Sequence, residues 1–331
     1  MHDDADSLRE LDRTLRRLYE STTGKYDFAQ ICASVNESHK RLDHANYTKN
    51  VVIRESPGRG RGLFCTKDIK AGDLVLIEKA FNVAFASDST TDCYTIINLN
   101  TRRGQMGPQA SLLFRIIQKL RHHPKQALKF LDLYDGDYKP KCESPTIDGE
   151  TVIDTFQTQA IIEHNVFGCS ETKTSDDLRN PDINTSDIIS SADGIWLTAS
   201  YANHACDGNV RRTFIGDLMV VRASKDIAEA EEIFMPYRSA ESDYEQTVFK
   251  LQQTWGFACD CTICTSEAKT TAKQREDRKQ LFGQVKDLMI RHRQTQEYLP
   301  SKSVIAKVEQ LYRKLEETYC GDALSKSSKY I

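Results

Sequence analysis

The chain has 331 residues and a formal charge of −3, from 45 Lys and Arg against 48 Asp and Glu. So even a balance gives no global field for nucleic acid or an anionic membrane, and neither is expected as a partner. No apolar run approaches a membrane span, and the start Met1-His2-Asp3-Asp4-Ala5-Asp6 is too acidic for a signal or transit peptide.

The length suits one large domain with appendages, or two domains. Ten cysteines are too sparse for a secreted disulfide scaffold, and Cys259, Cys261 and Cys264 are crowded together while Cys32, Cys65, Cys93, Cys142, Cys169, Cys206 and Cys320 are scattered. Reduced thiols and an intracellular location, nucleus or cytoplasm, are expected. The sequon Asn46-Tyr47-Thr48 then reads as a chance match.

In chain order, Leu8, Leu11, Leu15 and Leu18 recur at helical spacing and predict an amphipathic helix with an apolar stripe to dock. A second helix is predicted over about Asp27 to His44, and residues 1–48 form an N-terminal helical segment. Short β-rich runs follow from residue 49: Val51-Val52-Ile53, Gly62-Leu63-Phe64-Cys65-Thr66 and Asp73-Leu74-Val75-Leu76-Ile77-Glu78. Between the first two, Gly58-Arg59-Gly60-Arg61-Gly62 offers backbone that a ligand can approach closely, or an ordinary hairpin loop.

Residues from about 88 to 190 read as a mainly helical insertion, with apolar spacing in Ser111–Ile117 and Gln126–Leu131 and a break at His122-His123-Pro124. Those histidines lack partners at ligand spacing and read as helix-end residues. A polar surface loop is predicted over Thr172–Ser186. β texture returns in Gly194–Leu197, Val210–Phe214, Leu218–Ala223 and Glu232–Tyr237, with Gly216-Asp217 as a hairpin turn. Residues 267–331 carry two apolar stripes, Leu281 to Met289 and Val304 to Tyr319, interrupted at Pro300-Ser301, and predict a helical hairpin.

The chemistry concentrates in two stretches, Ser200-Tyr201-Ala202-Asn203-His204-Ala205-Cys206-Asp207-Gly208-Asn209 and Phe257-Ala258-Cys259-Asp260-Cys261-Thr262-Ile263-Cys264. Cys-x-Cys-x-x-Cys supplies three sulfurs, a tetrahedral zinc site needs a fourth ligand, and Cys206 is the candidate. Such a metal would staple the two stretches together and make metal binding part of folding.

The glycine-rich turn, Asn-His-x-Cys, a strand ending in Tyr237, and Phe257 with the cysteine cluster stand in an order that resembles the SET-domain lysine methyltransferases. The likeness is to the SET and MYND branch and related tetratricopeptide-SET proteins, from about residue 50 to 265. It implies an α+β fold: a β-rich SET domain over 49–240 with a pseudoknot and a helical insertion, a post-SET zinc segment over 241–266, and flanking helices. It further implies that Arg59-Gly60-Arg61, Asn165, Asn203, His204, Tyr237 and Phe257 bind S-adenosylmethionine. Tyr237 corresponds to the active-site tyrosine, Phe167 and Tyr201 are candidate walls of the lysine channel, and the zinc is structural.

Two departures stand out. Asp207-Gly208-Asn209 replaces the family's Asp-Pro-Asn, and with only Cys93 and Cys142 in the middle of the region the MYND zinc module is absent. No repeat of about 34 residues is visible.

A lysine amine, with a free pKa of about 10.4, is neutral in roughly one side chain in two thousand at pH 7. A nearby sulfonium and a desolvating aromatic channel disfavour the ammonium, so alignment and deprotonation come from the same architecture. Tyrosine, with a pKa of about 10, is a poor general base, so Tyr237 is assigned to orientation. The resulting expectation is a protein-lysine N-methyltransferase acting on a histone or another protein. The alternative is a catalytically silent SET-like module that binds a protein partner. Substrate, number of methyl groups and oligomeric state are not written in these residues.

Overall fold

The computed structural model describes residues 2–35, 40–88, 95–99, 103–140, 146–169, 192–238, 244–294 and 299–319. The loop expected over Thr172–Ser186, and Cys93, Cys142 and Cys320, lie outside them. Helices and antiparallel sheets are mixed, in the α+β class, and the chain divides into two compact units. One comprises Met1–Asn203 with Asn209–Phe234, the other His204–Gly208 with Met235–Ile331.

The first unit opens with α1 (His2–Thr23) and α2 (Phe28–Ser34), followed by β1 (Val51–Ser56), β2 (Gly60–Cys65), β3 (Leu74–Lys79) and β4 (Asn82–Phe85). The insertion contains β5 (Thr95–Asn98), β6 (Arg103–Met106), α3 (Pro108–His122), α4 (Pro124–Leu131), β7 (Thr146–Ile147), β8 (Glu150–Thr151) and α5 (Thr155–Asn165). Then come β9 (Phe167–Cys169), β10 (Ala192–Ile195), β11 (Asn203–His204), β12 (Val210–Ile215), β13 (Leu218–Ala223) and β14 (Glu232–Met235), the last residues of β11 and β14, His204 and Met235, belonging to the second unit.

Three small sheets carry this unit, with strand orders β1-β2-β14-β11, β4-β10-β9 and β12-β13-β3, and β1–β2, β2–β14, β4–β10, β10–β9, β12–β13 and β13–β3 pair antiparallel. The first matters most for function, because Glu232 pairs with Phe64 and Ile233 with Leu63, bringing a strand from late in the chain beside the glycine-rich one. Proline at the first turn of both α3 and α4 fixes the break read at His123, since Pro124 ends one helix and opens the next. Leu112, Ile116, Leu120, Phe130, Ile161 and Ile162 from α3, α4 and α5 pack with Phe81 and Ile195 into one core. The hairpins β5–β6 and β7–β8 were not foreseen in a stretch read as helical.

Two expectations for the N-terminal segment are corrected. The second helix stops at Ser34, with Val35 extended, rather than running to His44. The chain at Lys40–Leu42 is committed elsewhere: Asp217 N–H donates to the Lys40 carbonyl at 2.8 Å, and the Asp217 carboxylate accepts from Leu42 N–H at 2.8 Å. The leucine stripe of α1 is not docked on any described residue, since Leu8, Leu11, Leu15 and Leu18 are 54–65% exposed. Its polar face makes the attachment instead, through Arg13, Arg16 and Arg17 on Asp43 and through Glu20, which accepts from Ala45 N–H.

The second unit holds α6 (Tyr244–Trp255), α7 (Thr262–Glu267), α8 (Ala272–Gln294) and α9 (Lys302–Glu317). The last two form the predicted hairpin, α9 capped by Ser301. Arg278 of α8 is 4% exposed and pairs with Glu267 at the end of α7. The same guanidinium donates to the Thr318 hydroxyl and carbonyl at 3.1 and 3.0 Å and lies over the Tyr319 ring, tying three helices together.

Candidate active site

The second unit gathers the sulfurs. The Cys206 sulfur lies 4.0 Å from Cys259 and 3.5 Å from Cys264, and all four ligand atoms of Cys206, Cys259, Cys261 and Cys264 fall within 4.8 Å of one another. Disulfide-bonded sulfurs sit at about 2.05 Å, so these are free thiols. Four thiolates at about 2.3 Å from a tetrahedral zinc would stand roughly 3.8 Å apart, and the observed spacings straddle that value. The donor set therefore fits zinc. Hydrogen bonding, with Cys259 first, pushes the Cys206 thiol far above the ordinary range, while the contact with Cys206 pulls Cys259 far below it. Sulfurs this close share protons unless a dication balances their charge.

An aromatic cluster sits on this centre. His204 is 4% exposed, its Nε2 is 3.3 Å from the Cys206 sulfur, and its Nδ1 accepts from the Tyr237 backbone N–H at 3.1 Å. Its ring lies 5.2 Å from that of Tyr237 and 5.8 Å from that of Phe257, and Tyr237 meets Phe257 edge-on at 6.4 Å. Trp255, which sequence reading missed, packs 5.2 Å from Tyr237. Gly256 makes this possible. Its φ of +75° closes α6, its N–H bonding to Gln252 O at 3.0 Å, and reverses the chain between the two rings. Gly208, where the family pattern has proline, donates its own N–H to Ala205 O at 3.1 Å, a bond proline cannot make.

The first unit holds the glycine-rich side. Asn203 donates through its amide to Arg61 O at 3.1 Å and to Glu232 Oε1 at 2.7 Å, and Ser56 donates to the other Glu232 oxygen at 2.9 Å. Gly62 is where these meet, and a Cβ there would overlap Glu232. Gly60 is different: it has φ of +74° and open space where a Cβ would stand, a cradle in which backbone is approachable. The side chains beside it are otherwise engaged, with Arg59 over the Phe234 ring at 5.0 Å and Arg61 over the Tyr201 ring at 5.0 Å.

Asp132, just past α4, organises the latter pair. Its carboxylate accepts from Arg61 at 2.6 Å and from the Tyr201 hydroxyl at 2.5 Å. The Tyr201 bond, then Arg61, holds Asp132 below the usual carboxylate range, while burial and the Asp132 bond raise Tyr201 to about 12. Thr198 and Ala199 N–H groups donate to the buried Glu78 at 2.8 and 2.9 Å, fixing the turn that leads into Asn203.

The remaining candidates are packed more deeply. The Asn165 amide donates to Tyr134 O at 2.8 Å and Ile161 O at 2.7 Å, tying α5 to the loop after α4. Phe167 is 9% exposed, edge-on to Trp196 at 6.0 Å with Arg212 over its ring at 5.4 Å. Thus the structure brings His204, Tyr237, Phe257 and the four cysteines together in one unit. In the other it links Arg61, Tyr201 and Asn203 through Asp132 and Glu232.

A family model for the SET domain matches residues 60–238, more than half of the chain. The chain belongs to the SET-domain family. Gly60, Arg61 and Gly62 of the glycine-rich turn, Asn203-His204 and Tyr237 lie inside the matched SET domain; Gly58 and Arg59 just precede it, and Phe257 and the cysteine cluster follow it. A protein named "Methyltransferase" from Gibberella zeae is 38% identical over 94% of this chain and 43% of its own length. The Yarrowia lipolytica "Histone-lysine N-methyltransferase SET5" is 34% identical over 32% of this chain and 23% of its own. The human "N-lysine methyltransferase SMYD2" is 34% identical over 24% and 18% respectively. The chain thus spans less than half the length of each of these SET relatives.

Proposed function

We propose that this chain transfers methyl groups from S-adenosylmethionine to lysine side chains of a histone or another protein. The observation that carries the reading is the gathering of Tyr237, His204 and Phe257 on a four-sulfur centre. Those residues sit in the order the SET family uses, and relatives carry lysine-methyltransferase names.

In this reading the open backbone of Arg59-Gly60-Arg61, with Asn165, Asn203, His204, Tyr237 and Phe257, holds S-adenosylmethionine, which supplies an activated methyl on a sulfonium. Phe257 offers a ring face to the adenine. Tyr201 and Phe167 wall the lysine stem from water, which disfavours the ammonium and leaves the amine neutral for in-line attack. The Tyr237 hydroxyl orients that amine. The four cysteines hold a structural zinc that fixes the segment bearing Phe257 against His204. Free cysteines among the described residues suit an intracellular location, in nucleus or cytoplasm. No described helix is long and apolar enough to cross a membrane.

Calorimetry of zinc-loaded protein with S-adenosylmethionine, followed by a lysine-peptide array with labelled cofactor, tests the proposal. Saturable binding and label transfer to lysine support it. Loaded protein that does not bind the cofactor would leave a silent interaction module as the better reading.

A further inference from the structure

We propose that His204 is a positioning residue whose imidazole couples the four-cysteine centre to the backbone of Tyr237. The importance of that coupling for methyl transfer rests on the function proposed above; its existence does not.

The tautomer follows from the donors around the ring. A backbone N–H can only donate, so the Tyr237 amide at 3.1 Å makes Nδ1 an acceptor. The proton of the neutral ring is therefore on Nε2, which is 3.3 Å from the Cys206 sulfur and donates to it. Cys206 is only two residues further along, so the chain folds back to place an N–H against its own metal ligand. Donors of this kind orient a ligand and tune its charge donation, and removing them costs about 10–100-fold in metal affinity.

The other side of the ring faces the proposed chemistry. Because the ring is buried and packed against both Tyr237 and Phe257, a shift of the Cys206 sulfur is transmitted to the Tyr237 amide through a rigid plane rather than a flexible chain. The sequence motif presents His204 as a cofactor contact. The structure adds a second task, done by the side chain.

Two substitutions split the ring's functions. In His204→Asn the amide oxygen can stand where Nδ1 stood and accept from Tyr237, but nothing reaches the sulfur. In His204→Gln the longer side chain can donate to Cys206, but the Nδ1 acceptor is lost.

With Co²⁺ as the probe, His204→Asn should shift the sulfur-to-cobalt charge-transfer band and weaken metal binding about 10-fold or more. His204→Gln should leave the band near its original energy. With Zn²⁺ bound, solvent exchange of the Tyr237 amide should speed up in His204→Gln and stay parent-like in His204→Asn. Exchanging Zn²⁺ for the larger Cd²⁺ should move the resonance of that amide in the parent protein and in neither variant. A parent-like band and metal affinity in His204→Asn would remove the sulfur contact. Identical losses of both signals in the two variants would reduce His204 to packing. An undiminished Cd²⁺ response in the variants would route the coupling elsewhere. None of these readouts needs turnover, so a protein that fails to methylate lysine overturns the function without deciding this coupling.

Discussion

The amide of Asn203 donates to the carboxylate of Glu232 at 2.7 Å, and the two meet over a residue with no side chain, Gly62. Asn203 precedes β12 while Glu232 opens β14, so this bond clamps two segments onto the glycine-rich strand β2. Gly62→Ala would drive a Cβ into Glu232 Oε1, and the carboxylate would have to leave Asn203, Ser56 or both. The expected outcome is a loss of about 1–3 kcal/mol in chemical denaturation, as for other overpacked sites. Glu232→Ala in the same background should recover part of it, and no recovery would show that the clash lies elsewhere.

For the metal centre, Cys206→Ser should lower zinc content well below one ion per chain in elemental analysis, because a hydroxyl is a poor replacement for a thiolate. Cys261→Ser should do the same. Chelation should destabilise the parent protein and have little further effect on either variant. Stoichiometric zinc in Cys206→Ser would show that the segment after His204 contributes no ligand.

How far the site could be read without coordinates differs from residue to residue. The cysteines were legible because sulfur spacing is local and the missing fourth ligand could be inferred from coordination number. Tyr237, Asn203 and His204 were legible as motif members in a fixed order. Asp132, Glu232 and Trp255 were not, since none lies at a diagnostic spacing from its partner: Asp132 is 69 residues from Tyr201 and Glu232 is 29 from Asn203. α2 is shorter than expected, with Val35 extended after Ser34, and the backbone further on, at Lys40 and Leu42, is held by Asp217, a partner 175 residues from Leu42 that no local pattern reveals. The stripe of α1 was read correctly as an apolar face and incorrectly as the docking face; three arginines meeting one aspartate leave no trace in hydrophobic periodicity.

Tyr237→Phe separates orientation from folding. The backbone N–H that bonds His204 is untouched, and the ring can still pack on Trp255 and Phe257. Cofactor affinity should stay within about 3-fold of the parent, while turnover falls by roughly 100-fold or more, the range lost when a reacting group is misplaced. Comparable losses in both quantities would assign the hydroxyl to binding.

The buried pair of Arg278 with Glu267 gives a stability prediction remote from the site. Arg278→Ala leaves a carboxylate buried without its counter-charge and strips both hydrogen bonds from Thr318, so a loss of about 3–5 kcal/mol is expected in thermal or denaturant unfolding. Replacing both partners with apolar residues, Arg278→Met with Glu267→Leu, should restore much of it. If the single and double variants unfold alike, the helical hairpin is held by packing of Leu311 and Leu315 rather than by this pair.

Asp193, in the middle of β10, predicts a pH dependence of the fold. Burial raises its carboxyl to about 6, above the value of about 3.9 for an unfolded chain. A folded pKa above the unfolded one means that the folded state binds the proton more tightly, so stability from this group is fully present below about pH 4 and is lost as pH rises through about 6. The loss is at most about 3 kcal/mol by pH 7, since each pKa unit corresponds to about 1.4 kcal/mol. Asp193→Asn cannot ionise and should flatten this slope. Its melting temperature relative to the parent should therefore rise between pH 4 and pH 7, and a constant difference across that range would show that Asp193 finds compensation for its charge.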